Sequence, residues 1–280
     1  VTRHDERDDQ EQMSTSIEHS EGDRTPEEAP SRGRGALADV LAKVDGVEGW
    51  MTPGQAAALH DAARRCPPHG SIVEIGSFRG RSTIVLASAA APDVSIVAID
   101  PHAGNDRGPQ EIEGYDAEAE DDHAVFLRNL TDAGVAERVR HVRKFSDAAL
   151  ADVEGTIDVL YIDGAHRYQP ALADISAWGD RVADGGAMLI HDSFSSIGVT
   201  MAIMRRLLFG RRFRYVDRSR SMTIYRADLD GGLAARAGNV ARQLAQLPWF
   251  AWNVLLKVLL TLGLGTVLRR LGREAPEWPY

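Results

Sequence analysis

Short apolar runs alternating with stretches of helical period constrain this chain more than any other feature. Ile72–Ile75, Val94–Ile99, Val139–Lys144, Ile157–Ile162 and Ala187–Ile190 read as strands. Helices are expected between them, from Ser82 to Ala90, from Asp121 to Ala133, and from Tyr168 to Ala183, the last closed by Asp184-Gly185-Gly186. A further helix spans Ile197–Phe209, and Arg212–Val216 and Ser221–Tyr225 read as a closing antiparallel pair. Upstream, Val40–Trp50 reads as a lead-in helix and turn. Thr52 caps the next helix, which has Pro53 at its first position and runs to about Arg65. Strands that alternate with helices specify a three-layer α/β sandwich with a mostly parallel sheet.

The domain is expected over 36–228, between an acidic tail (1–35) and a C-terminal extension (229–280). Residues 1–31 carry ten acidic and three basic side chains, so most of the net charge of −9 sits there. Almost free of large apolar residues, this tail is expected to be disordered. It also lacks the apolar core of a signal peptide. The one cysteine, Cys66, has no internal partner, which fits a reducing, cytoplasmic setting.

Asp163 follows one strand directly, and Asp192 follows another by one residue. If those strands are parallel neighbours, roughly 4.8 Å apart, both carboxylates emerge at one edge and can share a divalent cation. Glu74-x-Gly76-x-x-x-Gly80 joins a strand to a helix. Its glycines let the backbone turn tightly and approach a ligand. Phe78 stands where a dinucleotide fingerprint has its middle glycine, which argues against NAD. Asp100, at the end of the second strand, can accept hydrogen bonds from both hydroxyls of a ribose. Glu74 then suits the ammonium group of a nucleoside that carries an amino acid. Ser146-Asp147 falls where an adenine would rest.

Val73-Glu74-Ile75-Gly76…Gly80-Arg81-Ser82-Thr83, Ala98-Ile99-Asp100, Tyr161-Ile162-Asp163-Gly164-Ala165-His166-Arg167-Tyr168 and Gly185-Gly186…His191-Asp192 form a recognisable set. Over about residues 52–226 the chain resembles class I S-adenosylmethionine-dependent methyltransferases. More narrowly, it resembles the family-24 group, which includes macrocin-type O-methyltransferases. The resemblance implies a Rossmann-like, seven-stranded sheet with an antiparallel final strand. It implies S-adenosylmethionine as donor, with Glu74, Gly76, Ser77, Gly80, Ser82, Asp100 and Ser146 around it. In metal-dependent relatives an acidic pair matches Asp163 and Asp192, and a histidine matching His166 is the base.

A hard cation such as Mg²⁺ prefers oxygen ligands. Held by two carboxylates, it lowers the pKa of a coordinated hydroxyl. His166, on the loop into the next helix, can take the hydroxyl proton. By strand alternation His191 is expected to point away from Asp192 and to be structural. His102 could close over donor or substrate, and His123 is expected at the surface. The polar loop 101–117 is expected to wall the acceptor. Helix capping by Asp163 and Asp192 is the plainer reading of these acids.

Seven arginines between 205 and 220 have only Phe209, Phe213 and Tyr215 among them, some of which strand alternation should bury, and read as solvated surface ahead of a site for an anionic acceptor or lipid head group. The apolar stretch 247–268 carries a narrow polar stripe of Asn253, Lys257, Thr261 and Gly265. Lys257 at mid-span would cost roughly 2.5–3.5 kcal/mol in a bilayer. The stripe therefore suits a helix lying in a membrane interface or packed on another subunit, ahead of a span or packing on the domain. The expected function is O-methyl transfer to a small-molecule or saccharide hydroxyl, assisted by a divalent metal. A tethered, non-catalytic nucleotide-binding module and a metal-dependent hydroxylase-like relative are the alternatives.

Overall fold

The computed structural model describes residues 36–103 and 116–261. The acidic tail 1–35, most of the expected acceptor loop and the end of the apolar stretch lie outside the described residues. Seven strands are formed: β1 (Ser71–Ile75), β2 (Ser95–Ile99), β3 (Val139–Val142), β4 (Ile157–Ile162), β5 (Val182–Ile190), β6 (Arg214–Ser219) and β7 (Met222–Arg226). They make one sheet in the order β3-β2-β1-β4-β5-β7-β6. The first five run parallel, and β7 is antiparallel to both β5 and β6. This is the Rossmann-like sheet that the alternating pattern requires.

Helices cover both faces. Those named α1 (Leu37–Lys43), α2 (Pro53–Arg64), α3 (Arg81–Ala89) and α4 (Asp116–Asp132) share one apolar core with Tyr161 and Leu189 of the sheet. On the other face, Leu160, Met188 and Tyr225 pack with α5 (Tyr168–Ala177), α6 (Ile197–Arg206) and the start of α8 (Leu247–Thr261). Between these last two, α7 (Leu233–Leu244) docks through the buried Asn239, whose side-chain oxygen accepts the Tyr215 N–H at 2.8 Å. Burying one large apolar side chain contributes about 1.5–3 kcal/mol. Fully buried Trp178, Tyr161, Tyr225 and Phe126 thus anchor both layers.

The helix start at Thr52 is a full capping box. Gln55 N–H donates to Thr52 Oγ1, and Thr52 N–H donates to Gln55 Oε1 at 2.7 Å. The expected helix from Tyr168 to Ala183 is shorter than its pattern. It stops at Ala177, and after one tight turn the chain is already strand at Val182. Trp178 is buried there, and Arg212 donates to the carbonyls of Gly179, Asp180 and Val182. Asp184-Gly185-Gly186 therefore interrupts a strand, where the β4–β5 register jumps, instead of ending a helix. Other arginines expected to be solvated are braces. Arg214 pairs with Asp228, and Arg218 lies 3.8 Å above the Trp249 ring.

The largest departure from expectation concerns α8. Of its expected polar stripe, Asn253 and Lys257 turn toward the domain, while the Thr261 side chain and Gly265 lie outside the described residues. Asn253 is buried and donates to the Phe194 carbonyl at 3.1 Å, and Lys257 Nζ donates to the Ser195 carbonyl at 2.8 Å. The apolar residues Trp252, Leu255 and Val258 are the ones turned outward. Among the described residues no helix is long and apolar enough to cross a membrane.

Candidate active site

Parallel pairing runs past the formal strand ends. Gly76 N–H donates to the Ile99 carbonyl, Asp163 N–H to that of Ile75, and His191 N–H to that of Ile162, at 2.8, 2.8 and 2.9 Å. Gly76, Asp163 and His191 are thus set side by side on one rim, with Asp100 next along it. The strand order reverses beside β1, and open α/β sheets bind ligands outside the carboxyl ends of their strands at such a point.

Gly76 sits at φ +84°, and an added Cβ would overlap the Asp163 carbonyl oxygen. Only glycine lets the two loops close this tightly. Beside it Ser77 is buried, and its hydroxyl has no hydrogen-bond partner among the described residues. Phe78 follows at φ +44°, with its N–H donated to Asp100 Oδ2 at 2.8 Å. The second Asp100 oxygen takes the His102 N–H, also at 2.8 Å. Each oxygen retains a second lone pair, so Asp100 stiffens the turn and can still accept from a ligand.

Glu74 lies deeper, fully buried, with one oxygen on the Ser82 hydroxyl and the other on the Thr83 hydroxyl. Burial pushes its pKa up to about 8 against the effect of those two hydroxyls, so the group is largely neutral at pH 7. Ser82 accordingly braces Glu74, and Gly80 caps α3. Ser146 donates to Asp174, whose pKa burial raises to about 6. Phe145, 62% exposed, stands next to it at the end of β3.

Asp163, His166, His191 and Asp192 make the acidic half of the rim. His166 Nε2 lies 2.9 Å from Asp192 Oδ2 and 4.0 Å from Asp163 Oδ1. Burial disfavours the charged ring, but hydrogen bonds to Asp163 and Asp192 outweigh it and raise its pKa to about 10. Burial likewise opposes ionisation of Asp192, yet His166 and His191 hold it well below the usual carboxylate range. Asp163 is also lowered, chiefly by His191 against the cost of burial, and accepts the Tyr161 hydroxyl at 2.9 Å.

His191 corrects the expectation from strand alternation. Its Nδ1 lies 3.2 Å from Asp163 and 3.6 Å from Asp192. The reasoning fails because strand geometry ends one residue early. Asp192 has φ +53° and Phe194 φ +56°, so the chain curls back and swings the Asp192 carboxylate toward Asp163. Such left-handed non-glycine residues cost about 1–3 kcal/mol each. Serines offset part of it: Ser195 Oγ donates to Asp192 Oδ1, and Ser193 Oγ to the Ile190 carbonyl, both at 2.8 Å. Gly198, in the first turn of α6, has no room for a Cβ against the His166 carbonyl, which keeps the two loops together.

Gln55 packs against the Nε2 edge of His191. The capping box occupies the amide oxygen, so its nitrogen faces His191 Nε2 at 3.2 Å and Ser221 Oγ at 3.1 Å. Burial disfavours the charged His191 ring, but Asp163 and Asp192 outweigh it and hold its pKa well above the usual histidine range. The sequence signal for Gln55 was the Thr52-x-x-Gln55 box; for Tyr161 it was its place two residues before Asp163, on the same strand face. His102, His123 and His141 form a second group with Phe126, ring centres 4.8–5.3 Å apart. His123 is thus packed among rings instead of lying free on the surface. Burial pushes His141 down to about 4, keeping it neutral.

The residues present fit both groups that the sequence implies. A buried hydroxyl without a partner beside a glycine turn fits an amino-acid-bearing nucleoside. Carboxylate oxygens of Asp163 and Asp192 lie within 4.8 Å of each other and of the His191 ring, and two anionic oxygens suit a hard cation.

Comparison with known proteins agrees with this geometry. Residues 73–193 match the model of a methyltransferase-domain family. Among solved structures, cofactor-bound Rv0187 from MTB is 21% identical, with 69% of this chain and 90% of that one covered at a TM-score of 0.49. A protein from Corynebacterium glutamicum is 14% identical over 69% of this chain and 91% of its own, at 0.52. The O-methyltransferase NovP is 16% identical over 68% and 88%, at 0.50. At these identities the likeness to the last two is one of fold.

Proposed function

We propose, for a chain whose residues 73–193 match a methyltransferase-domain family, that it moves a methyl group from S-adenosylmethionine to a hydroxyl of a small molecule or saccharide. A divalent cation, Mg²⁺ by preference, assists at Asp163 and Asp192. The observation that carries this reading is the shared rim. The Gly76 turn and the carboxylate–histidine cluster are joined directly through the Asp163 N–H and the Ile75 carbonyl.

On this reading Ser77 donates to the amino-acid part of the donor and Asp100 receives the ribose hydroxyls. Ser146 lies toward the adenine, with the exposed Phe145 ring beside it. Glu74 meets the donor's ammonium. A positive charge there favours the ionised carboxylate and reverses the effect of burial on Glu74.

The acceptor oxygen attacks the methyl carbon. The carbon–sulfur bond breaks with its electron pair left on sulfur, and the hydroxyl proton passes to His166. The sulfonium supplies the electrophile, so the protein's task is to orient the acceptor and remove that proton. With bare carboxylates His166 keeps its own proton at neutral pH and cannot act as a base. A bound cation would supply the positive charge that releases it and would acidify the acceptor hydroxyl. His191, close to both carboxylates, favours their ionised form.

Calorimetry with S-adenosylhomocysteine tests the reading. Binding is expected with and without Mg²⁺. The exchanges Asp163→Ala and Asp192→Ala should abolish methyl transfer and leave that binding intact. Absence of binding under both conditions would overturn the donor assignment. Unchanged turnover in both variants would overturn the roles of the acids.

A further inference from the structure

The C-terminal helix α8 lies outside the segment matched by the methyltransferase-domain family, yet it touches the acidic rim. Its first half is held by apolar contact: Leu247, Trp249 and Phe250 pack on the core beneath α5 and α6. That contact alone would dock it. Its second half buries Leu256 but also turns the polar Asn253 and Lys257 inward, while Trp252, Leu255 and Val258 are left outside. Burying an asparagine is costly unless its hydrogen bonds are made. An amphipathic helix placed for burial alone would show the opposite polarity.

Both inward groups end on one short piece of chain. Asn253 Nδ2 donates to the carbonyl of Phe194, and Lys257 Nζ to that of Ser195. This piece, His191 to Ser195, is wholly buried and includes the two left-handed residues Asp192 and Phe194. A strained segment persists only where its surroundings over-determine it. The serine bonds within the loop fix its start. The carbonyls at 194 and 195 face away from those bonds and are captured from α8. The Lys257 ammonium also feels the Asp192 charge.

We propose that Asn253 and Lys257 are positioning residues of the active site, clamping the Phe194 and Ser195 carbonyls so that Asp192 stays beside Asp163 and His166. The clamp rests on the functional reading above for its purpose, although its geometry does not. It makes the extension a working part of the enzyme. A chain cut before α8 would keep the donor half of the rim and lose order in the acidic half.

The test uses the full chain with Asn253→Ala, Lys257→Met, Lys257→Arg and, on the outer face, Leu255→Ser. Hydrogen exchange is followed at amides 192–196, and Mn²⁺ affinity is measured by electron paramagnetic resonance. Asn253→Ala and Lys257→Met should each speed exchange at 192–196 about tenfold while β4 and β5 stay protected. Each should weaken Mn²⁺ binding about tenfold, as losing an outer support of a ligand does. Lys257→Arg should restore both, and Leu255→Ser should leave both unchanged. Unaltered exchange at 192–196 in the first two variants would overturn the clamp. So would a change spread evenly over the domain, or an equal change in Leu255→Ser. If the unmutated protein takes up no Mn²⁺, the metal assignment fails, and the exchange data alone still decide the clamp.

Discussion

The two halves of the rim solve the same problem, presenting polar groups at the end of a sheet, in opposite ways. Around Gly76 the acids are quenched. Asp100 takes two backbone N–H groups, and Glu74 is buried, capped by two hydroxyls and largely neutral. Around Asp192 the charges are kept. Two carboxylates with lowered pKa values hold His166 as a cation. The first half is a shaped, electrically quiet socket, ready for a ligand that brings its own charge. The second is a poised charge cluster whose balance changes when a cation or proton arrives. On the proposed function, such a site would bind its donor without the metal and need the metal for the proton transfer.

The sharpest way to break this comparison is to exchange one acid from each half. Asp192→Asn should lower turnover on any hydroxyl acceptor by about 10²–10⁴-fold, the range for losing a poised proton-transfer system. Its affinity for S-adenosylhomocysteine should be unaltered. Glu74→Gln should do the reverse and weaken S-adenosylhomocysteine about 10–100-fold, the worth of a hydrogen bond to a charged group, with Mn²⁺ binding unaffected. Calorimetry on both variants reads the crossed pattern. If either exchange damages both properties equally, the two halves are not separate devices.

What the sequence revealed divides along the same line. The geometry around Gly76 was legible because its signals are local. A strand, a glycine at a turn, and an acid at the next strand end lie in a fixed order, and parallel register does the rest. Asp163 and Asp192 were legible as a pair for the same reason. His191 was not, because strand alternation assumes an extended backbone and Asp192 leaves it at φ +53°. The end of α5 was misread because its pattern stays helical while Arg212, thirty residues on, claims the carbonyls of the following turn. In α8 the stripe of Asn253 and Lys257 was seen, but its direction was inverted. Periodicity shows that a helix has two faces; only the buried carbonyls of Phe194 and Ser195 show which face is wanted inside.

A smaller effect sharpens the contrast through pH. His166 has a folded pKa of about 10, above its ordinary 6.5. Its stabilising contribution is therefore complete below about pH 6.5 and is lost as pH rises through 10. Glu74, raised to about 8, loses stability over an overlapping range, but from the other half of the rim. Comparing metal-free protein with His166→Gln separates them. The Tm of the unmutated chain should fall more between pH 6.5 and 10, by about 2–4 °C, a modest figure because the ring is 42% exposed and screened. Saturating Mg²⁺ should flatten the difference. An identical pH profile for both proteins would remove the carboxylates as the cause of the raised pKa.

The smallest change tests whether the quiet half was shaped for a ligand at all. A buried hydroxyl with no partner is a cost to the folded chain. Ser77→Ala removes that cost, so its Tm should stay level or rise. A hydroxyl kept for the donor would nonetheless be missed on binding. S-adenosylhomocysteine affinity should drop about 2–10-fold, one neutral hydrogen bond's worth. Stability and affinity moving in opposite directions is what a binding residue predicts and a packing residue forbids. If Ser77→Ala instead lowers Tm and leaves affinity alone, that serine belongs to the fold, and the socket must draw its specificity from Glu74 and Asp100.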